Sequence, residues 1–304
     1  METLDFWARN IFYVAIPYFL VLMAWEWMAL RRQAAAGATK KGFELRDSSV
    51  SIALGLIKLG TLALAATYTG WLFMTVHEYR VFDLSPLAWW TWPLLFLADD
   101  FAYYWYHRCA HRCRFFWMEH VNHHSSEHYN LSTALRQSTL GPLYSFVFYV
   151  PLAWIGFHPL AIAVQFGVSL IYQYWIHTEA IDRMGFLEKF MNTPSHHRVH
   201  HGSNGIYIDR NYAGILIVWD KLFGTFQEEK RDVPVRYGLV KDIRTFNLFT
   251  VIFHEAAFML RQAWQAKGWR NKLGWIFGPP EWTPDGPQYP PDHPHWHKKA
   301  AVTA

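Results

Sequence analysis

Three short stretches concentrate the residues that could do chemistry: His107-Arg-Cys-Ala-His111, His120-Val-Asn-His123-His124 and His197-Arg-Val-His200-His201. The second and third share one pattern, HxxHH. With 17 histidines in 304 residues, a given position would match that pattern by chance about once in 6,000, so two copies are no accident of composition. On a helix, residues three and four apart share a face, so each HxxHH is expected to present three imidazoles to one side and HxxxH two. Eight imidazoles brought together would repel one another if protonated and be poorly solvated if buried. A bound metal stabilises the neutral rings by accepting their lone pairs. Eight ligands exceed what one ion needs, which points to two ions. Imidazole by itself suits iron, zinc or copper.

The other histidines carry less. His177 sits where an apolar region ends and is expected to meet the clusters as a ninth ligand. His128, one turn beyond His124, and His196, one turn before His200, are left open by helix geometry. His77, His158 and His254 stand alone and read as ordinary core or surface residues. His293, His295 and His297 read as part of an exposed Pro-rich tail. Cys109 and Cys113 each lie two residues past a motif histidine, about 200° around the helix, and read as packing residues. Their spacing fits neither a disulfide framework nor a zinc ribbon, in keeping with a reducing, cytosol-facing setting.

The elements that must position these rings are largely apolar. Hydrophobic residues make up 52% of the chain and aromatics 18%. Residues 11–30 form an apolar run with Glu26 as its one charge, about the length that crosses a bilayer. Residues 50–76 form a second with Lys58 alone, and residues 84–98 a third that needs continuation through residues 101–106. Residues 140–176 are broken at Gly156-Phe-His-Pro159 and read as a helical hairpin. Trp89, Trp90 and Trp92 near a span end match an interfacial aromatic belt. The expected class is therefore all-α: a polytopic membrane protein with about four transmembrane helices and a cytosolic, histidine-rich metal-binding cap. A soluble all-helical protein is the competing reading.

Arg31, Arg32, Lys40 and Lys41 place the first loop on the cytoplasmic side, which turns the N-terminus outward and gathers the histidine clusters on the cytoplasmic face. No secretory signal pattern opens the chain, so the first apolar segment is expected to stay in the mature protein. The expected divisions are membrane helices over 1–98, a catalytic region over 99–226 that includes the hairpin 140–176, and a C-terminal amphipathic helix and tail over 227–304. Within the last, Phe246, Phe249, Phe253, Ala256, Ala257, Leu260 and Trp264 recur at helical spacing on a face expected to pack on the core, with the membrane surface as the alternative. A net charge of +4 with no clustered Lys and Arg excludes a nucleic-acid reading.

Zinc lacks redox chemistry and catalytic zinc usually takes three protein ligands, so eight imidazoles favour a redox metal pair that uses dioxygen on a lipid C–H bond. The repeated Glu-x-x-His signature of carboxylate-rich di-iron bundles is missing. The order and spacing of the three boxes resemble the fatty acid hydroxylase and sterol desaturase superfamily over residues 99–226. Asp100-Phe-Ala-Tyr-Tyr-Trp-Tyr-His107-Arg108 looks like the approach to its first box. His123-His124-Ser-Ser-Glu127, Asn130-Leu-Ser-Thr-Ala-Leu-Arg136, Trp175-Ile-His177-Thr-Glu179, Thr193-Pro-Ser-His-His197, Asn211-Tyr-Ala-Gly and Trp219-Asp-Lys-Leu-Phe-Gly-Thr-Phe226 resemble the alkylglycerol monooxygenase branch.

The resemblance implies that His107, His111, His120, His123, His124, His197, His200 and His201 bind two iron ions, with His177 as a further ligand. Glu127 and Glu179 are the candidate carboxylates that orient imidazoles, or else surface acids near helix ends. It further implies a lipid monooxygenase that hydroxylates its substrate with O2 and an external reductant, tetrahydropterin in this branch. Sterol desaturation within the same superfamily is the alternative outcome. No flavin or nicotinamide fingerprint is present, so electrons must come from a diffusible reductant or an electron-donor protein. Two other classes compete. A membrane metal-binding or transport protein predicts polar residues within the spans, where only Glu26 and Lys58 stand. A metal-dependent lipid hydrolase predicts zinc and no oxygen consumption.

Overall fold

The computed structural model describes residues 1–290, 292 and 293, and its regular structure among them is helical, with two isolated β-bridges and no strand. His295 and His297 lie outside the described residues. Two long helices open the chain: α1 (Glu2–Ala35) and α2 (Leu45–Glu78). Tyr13–Ala35 and all of α2 are long and apolar enough to cross a membrane, and their flanks leave large side chains such as Tyr13 and Trp71 70% exposed. The Glu44 side chain starts α2 by accepting the Asp47 N–H at 2.6 Å, satisfying a donor that the first turn leaves free.

The next two helices form a tight pair. α3 (Thr91–Arg112) and α4 (Arg114–His124) are separated only by Cys113 in extended conformation. That single residue reverses the chain, so that the end of α3 faces α4. Two shorter helices follow, α5 (Val150–Ile155) and α6 (Pro159–Trp175). The expected helical hairpin over 140–176 is only half formed: its first half is a series of 3₁₀ turns ending in the six-residue α5. The break falls at Gly156, at φ +136°, where a Cβ would lie 2.2 Å from the Phe82 carbonyl oxygen, a backbone approach that only glycine permits. α6 restarts at Pro159, with the His158 ring accepting the Leu160 N–H at 3.2 Å.

α7 (Pro194–His200) carries the last histidine box, and the short α8 (Val218–Leu222) follows it. The expected C-terminal helix is two helices, α9 (Leu248–Gln265) and α10 (Trp269–Phe277), because Ala266 is extended and Gly268 adopts φ +79°. The face of α9 that packs on α2 is Val251 and Ile252 against Val50 and Leu54. The stripe expected to pack inward is instead largely outward: Phe249, Leu260 and Trp264 are exposed, the last at 85%. Both faces of α9 are apolar, and periodicity cannot say which one meets the protein. The Pro-rich segment is also no loose tail among its described residues: Trp282 packs edge-on against Trp275, and His293 is buried and stacks on Tyr289.

The loop between α1 and α2 lies beside the histidine layer. Lys40 donates to the Glu179 carbonyl, and Lys41 faces Glu127 at 3.7 Å. The two charges within the long apolar runs have different surroundings. Glu26 is fully buried and accepts the Leu131 N–H at 2.7 Å and the Thr178 hydroxyl at 2.5 Å, tying α1 to two loops of the site. Lys58 faces a cavity between α2 and α6.

Candidate metal centre

The fold brings nine imidazoles into two adjoining buried groups. His107, His111, His120, His124 and His200 form one; His123, His177, His197 and His201 form the other. Within each, the candidate ligand atoms lie within 4.8 Å of one another. The split corrects the expectation that one HxxHH turns all three rings to one side. Successive helical residues are 100° apart, so positions i+3 and i+4 diverge around position i. α4 sends His120 and His124 to the first group and His123 to the second. The α7 box does the reverse, with His200 in the first and His197 and His201 in the second. The groups touch where His124 stacks on His201, ring centres 4.4 Å apart.

Backbone carbonyls hold four of the rings by one nitrogen. His107 Nδ1 meets the Tyr212 carbonyl at 2.8 Å, His123 Nδ1 that of Arg136 at 2.9 Å, His177 Nδ1 that of Gln173 at 2.7 Å and His200 Nδ1 that of Arg210 at 3.0 Å. A carbonyl only accepts, so each Nδ1 carries the proton and each Nε2 presents a lone pair. The consequence is sharpest at His123 and His177: both have committed Nδ1–H, yet their Nε2 atoms stand 3.1 Å apart. Two lone pairs facing at that distance repel unless a cation lies between them.

His197 Nε2 adds a third nitrogen, 2.9 Å from His177 Nε2. Buried Nε2 atoms of His111, His200 and His201 have no hydrogen-bond partner, which is costly for polar atoms away from water. Protonation does not relieve this at His200 and His201. Burial, reinforced by neighbouring imidazoles, holds His120, His124, His197, His200 and His201 well below the ordinary value. Burial alone pushes His177 down to about 4. The donor set therefore fits two metal ions ligated by neutral imidazole, with the carbonyls fixing the tautomers as outer partners of metal-bound histidine do.

The loop that supplies two of these carbonyls is itself pinned. Asp220 accepts the Tyr212 and Ala213 N–H groups, each at 2.8 Å. Asp100 accepts those of Ile215 and Leu216 and the Trp219 indole at 2.7, 2.9 and 2.9 Å. Asp209 and Asn211 hold left-handed conformations at φ 60° and 55°, strain that the surrounding contacts must sustain. Gly202 ends the α7 box where a Cβ would lie 2.9 Å from the Tyr207 ring. Arg136, fully buried, donates to the Asn122 carbonyl and Ser125 hydroxyl at 3.0 Å each and to Asp47 at 3.2 Å, locking the segment whose carbonyl holds His123.

The carboxylates singled out in the sequence lie elsewhere. Glu127 is exposed beside Lys41. Glu179 accepts the Tyr237 hydroxyl at 3.2 Å. Neither belongs to the imidazole groups. The acid beside a ring is Asp209, 3.6 Å from His111 Nδ1; burial raises its carboxyl, but His111 and Arg112 outweigh burial and hold it below the ordinary value. No spacing rule ties Asp209 to a histidine box, so sequence reasoning had no signal for it. His128 and His196 fall outside both groups: their Nδ1 atoms meet the Gly42 and Met191 carbonyls, each at 3.2 Å. His77, His158 and His254 are outside as well, and both cysteines are free thiols.

A cavity of about 320 Å³ leads to the imidazoles from the groove between α2 and α6. Its floor includes His120, His123, His177 and His197, and its walls are mostly apolar, among them Leu62, Phe73, Phe166 and Leu170.

Residues 92–225 match the family model described as Fatty acid hydroxylase. Alkylglycerol monooxygenase of Homo sapiens is 43% identical over 280 residues, covering 90% of this chain and 60% of that protein. The same-named protein of Danio rerio is 49% identical over 216 residues, 70% of this chain and 48% of that one. Ornithine lipid hydroxylase OlsE of Rhizobium tropici is 28% identical over 165 residues, 49% of this chain and 47% of that one. The chain thus spans about half to 60% of the length of these curated relatives. No solved structure matches. The matched segment contains all nine imidazoles, and over residues 92–225 the chain is similar to the fatty acid hydroxylase family.

Proposed function

We propose that this protein is a membrane-embedded di-iron monooxygenase that hydroxylates a lipid, an alkylglycerol-type ether lipid being the substrate suggested by its relatives. The observation that carries the reading is the facing pair of His123 and His177 Nε2 atoms, 3.1 Å apart with both Nδ1–H groups already used. Two iron ions held by the nine imidazoles would supply dioxygen activation, one oxygen atom entering a lipid C–H bond and the other leaving as water, with two electrons from an external reductant. Tetrahydropterin is our proposal for that reductant, by resemblance, and an electron-donor protein the alternative.

The chain's own residues supply the rest. The backbone carbonyls of Arg136, Gln173, Arg210 and Tyr212 keep the rings in the ligating tautomer. The apolar groove between α2 and α6 admits hydrocarbon and excludes water from the imidazole floor. Domain roles follow: residues 1–98 anchor, 99–226 bind metal, and the described part of 227–304 braces. In the membrane arrangement we propose, α1 and α2 span, the apolar parts of α3 and α6 complete a four-span bundle, and the outward stripe of α9 rests on the bilayer surface. The cytoplasmic placement of the histidine layer is supported by Lys40 and Lys41, which lie in the basic loop beside it.

Iron analysis of protein purified in detergent, with oxygen uptake on an alkylglycerol and tetrahydropterin present, tests the proposal. Two irons per chain and lipid-dependent oxygen consumption are expected. Zinc with oxygen-independent lipid cleavage would replace it with a hydrolase, and metal flux without oxygen uptake would replace it with a carrier.

A further inference from the structure

The cavity has an uneven chemical lining that the metal centre does not explain. Lys58 is the charge that interrupts the apolar run of α2, and it does not reach for the helix ends as a snorkelling lysine would. Its Nζ donates to Gln137 Oε1 at 2.7 Å, and Gln137 is fixed in turn because its Nε2 donates to the Ala134 carbonyl at 2.7 Å. The partner is an amide, not a carboxylate, so two ammonium donors remain for the cavity that Lys58 lines. Ser138 lines the same cavity, is 7% exposed, and its Oγ has no hydrogen-bond partner. The Tyr106 hydroxyl is close by: a Cβ on Gly141 would lie 3.4 Å from Ser138 Oγ and 3.7 Å from Tyr106 Oη.

All three groups share the cavity with His120 and His123. From Lys58, α2 runs about 22 Å to Phe73 past small or apolar lining residues, room for a long hydrocarbon chain. Lys58, Ser138 and Tyr106 thus bring one cation and two hydroxyls into the cavity that the metal-ligand candidates floor, whereas along the α2 wall beyond Lys58 the polar lining side chain is Thr69, whose hydroxyl is spent on the Ala65 carbonyl at 2.9 Å; Ser145 and Tyr149 add hydroxyls on the facing wall. One cation among hydroxyls suits a neutral oxygen better than a phosphate, which would need further positive charge.

We propose that Lys58 and Ser138 form the subsite that receives the oxygen-bearing end of the lipid, so that this end enters first and the hydrocarbon trails along the α2–α6 groove toward the bilayer. The inference rests on the cavity being the lipid site of the proposed monooxygenase. A site that offers donors to an oxygen rejects the analogue lacking it, because its buried polar groups are then left unpaired.

The test is equilibrium binding of hexadecanol and of hexadecane to metal-loaded protein in detergent, for the wild type, Lys58→Met and Ser138→Ala. The wild type should prefer the alkanol by about tenfold or more. Both variants should lose most of that preference through weaker alkanol binding, with hexadecane binding unchanged. No preference in the wild type, or a preference that survives both substitutions, overturns the proposal. Ser138→Ala removes a single oxygen and keeps the test decisive if Lys58→Met fails to fold. Binding needs no turnover, so absence of lipid-dependent oxygen uptake would count against the monooxygenase reading separately.

Discussion

His200 and His201 are neighbours in sequence but belong to different imidazole groups, and removing them one at a time should have unequal effects. His200 sits in the group of five, His201 in the group of four. His200→Ala leaves four nitrogens in its group, enough for a closed set, whereas His201→Ala leaves three and also unstacks His124. Losing even an outer partner of a ligand weakens metal binding about 10- to 100-fold, about 1.4 to 2.7 kcal/mol, and losing a ligand should cost at least that. The assay is iron content after dialysis against graded chelator, with folding monitored by thermal denaturation. His201→Ala should fall from two irons to about one at chelator levels where His200→Ala still holds nearly two. If the two variants lose iron together, or His200→Ala loses it first, the division into a five-ring and a four-ring centre is wrong.

Acidification should destabilise the metal-free protein. His177 is held at about 4 by burial, so between its ordinary value of about 6.5 and pH 4 the unfolded chain takes up a proton that the folded chain refuses; stability is full above pH 6.5 and declines as pH falls, by up to about 3 kcal/mol from this ring. Urea denaturation against pH would show it, and a flat profile would contradict it. Arg136→Met leaves Asp47 buried without its cation and should cost about 3–5 kcal/mol, seen as a lower Tm together with reduced iron retention. Ala66→Trp places bulk in the cavity wall; KM for long-chain lipids should rise about tenfold or more while iron content stays at the wild-type level. An unchanged KM would show that the lipid does not use this groove.

Residue type and spacing were enough to pick out eight of the nine imidazoles that the structure gathers, because helix periodicity is local and two HxxHH boxes are too improbable to ignore; His177 was marked only by its place at the end of an apolar region. They also marked Glu26 and Lys58 as anomalies, since a charge within an apolar run stands out against its neighbours. What each anomaly does was invisible: Glu26 binds loops more than a hundred residues away, and Lys58 meets Gln137 across a long gap in the chain. The outward stripe of α9 was legible as a helix face but not as an exposed one, since its opposite face is apolar too.

The amino-acid sequence by itself therefore determined which atoms are available as ligands and which helices carry them. Tertiary structure decided how those atoms are shared between two imidazole groups, which carbonyl sets the tautomer of four of the rings, and that Asp209 rather than Glu127 stands beside a ring. The physical reason is range. Helical spacing fixes relations among residues within a turn or two, whereas the partition of His120, His123 and His124 depends on where α3, α6 and α7 come to rest against α4, and that is set by packing among segments far apart in the chain.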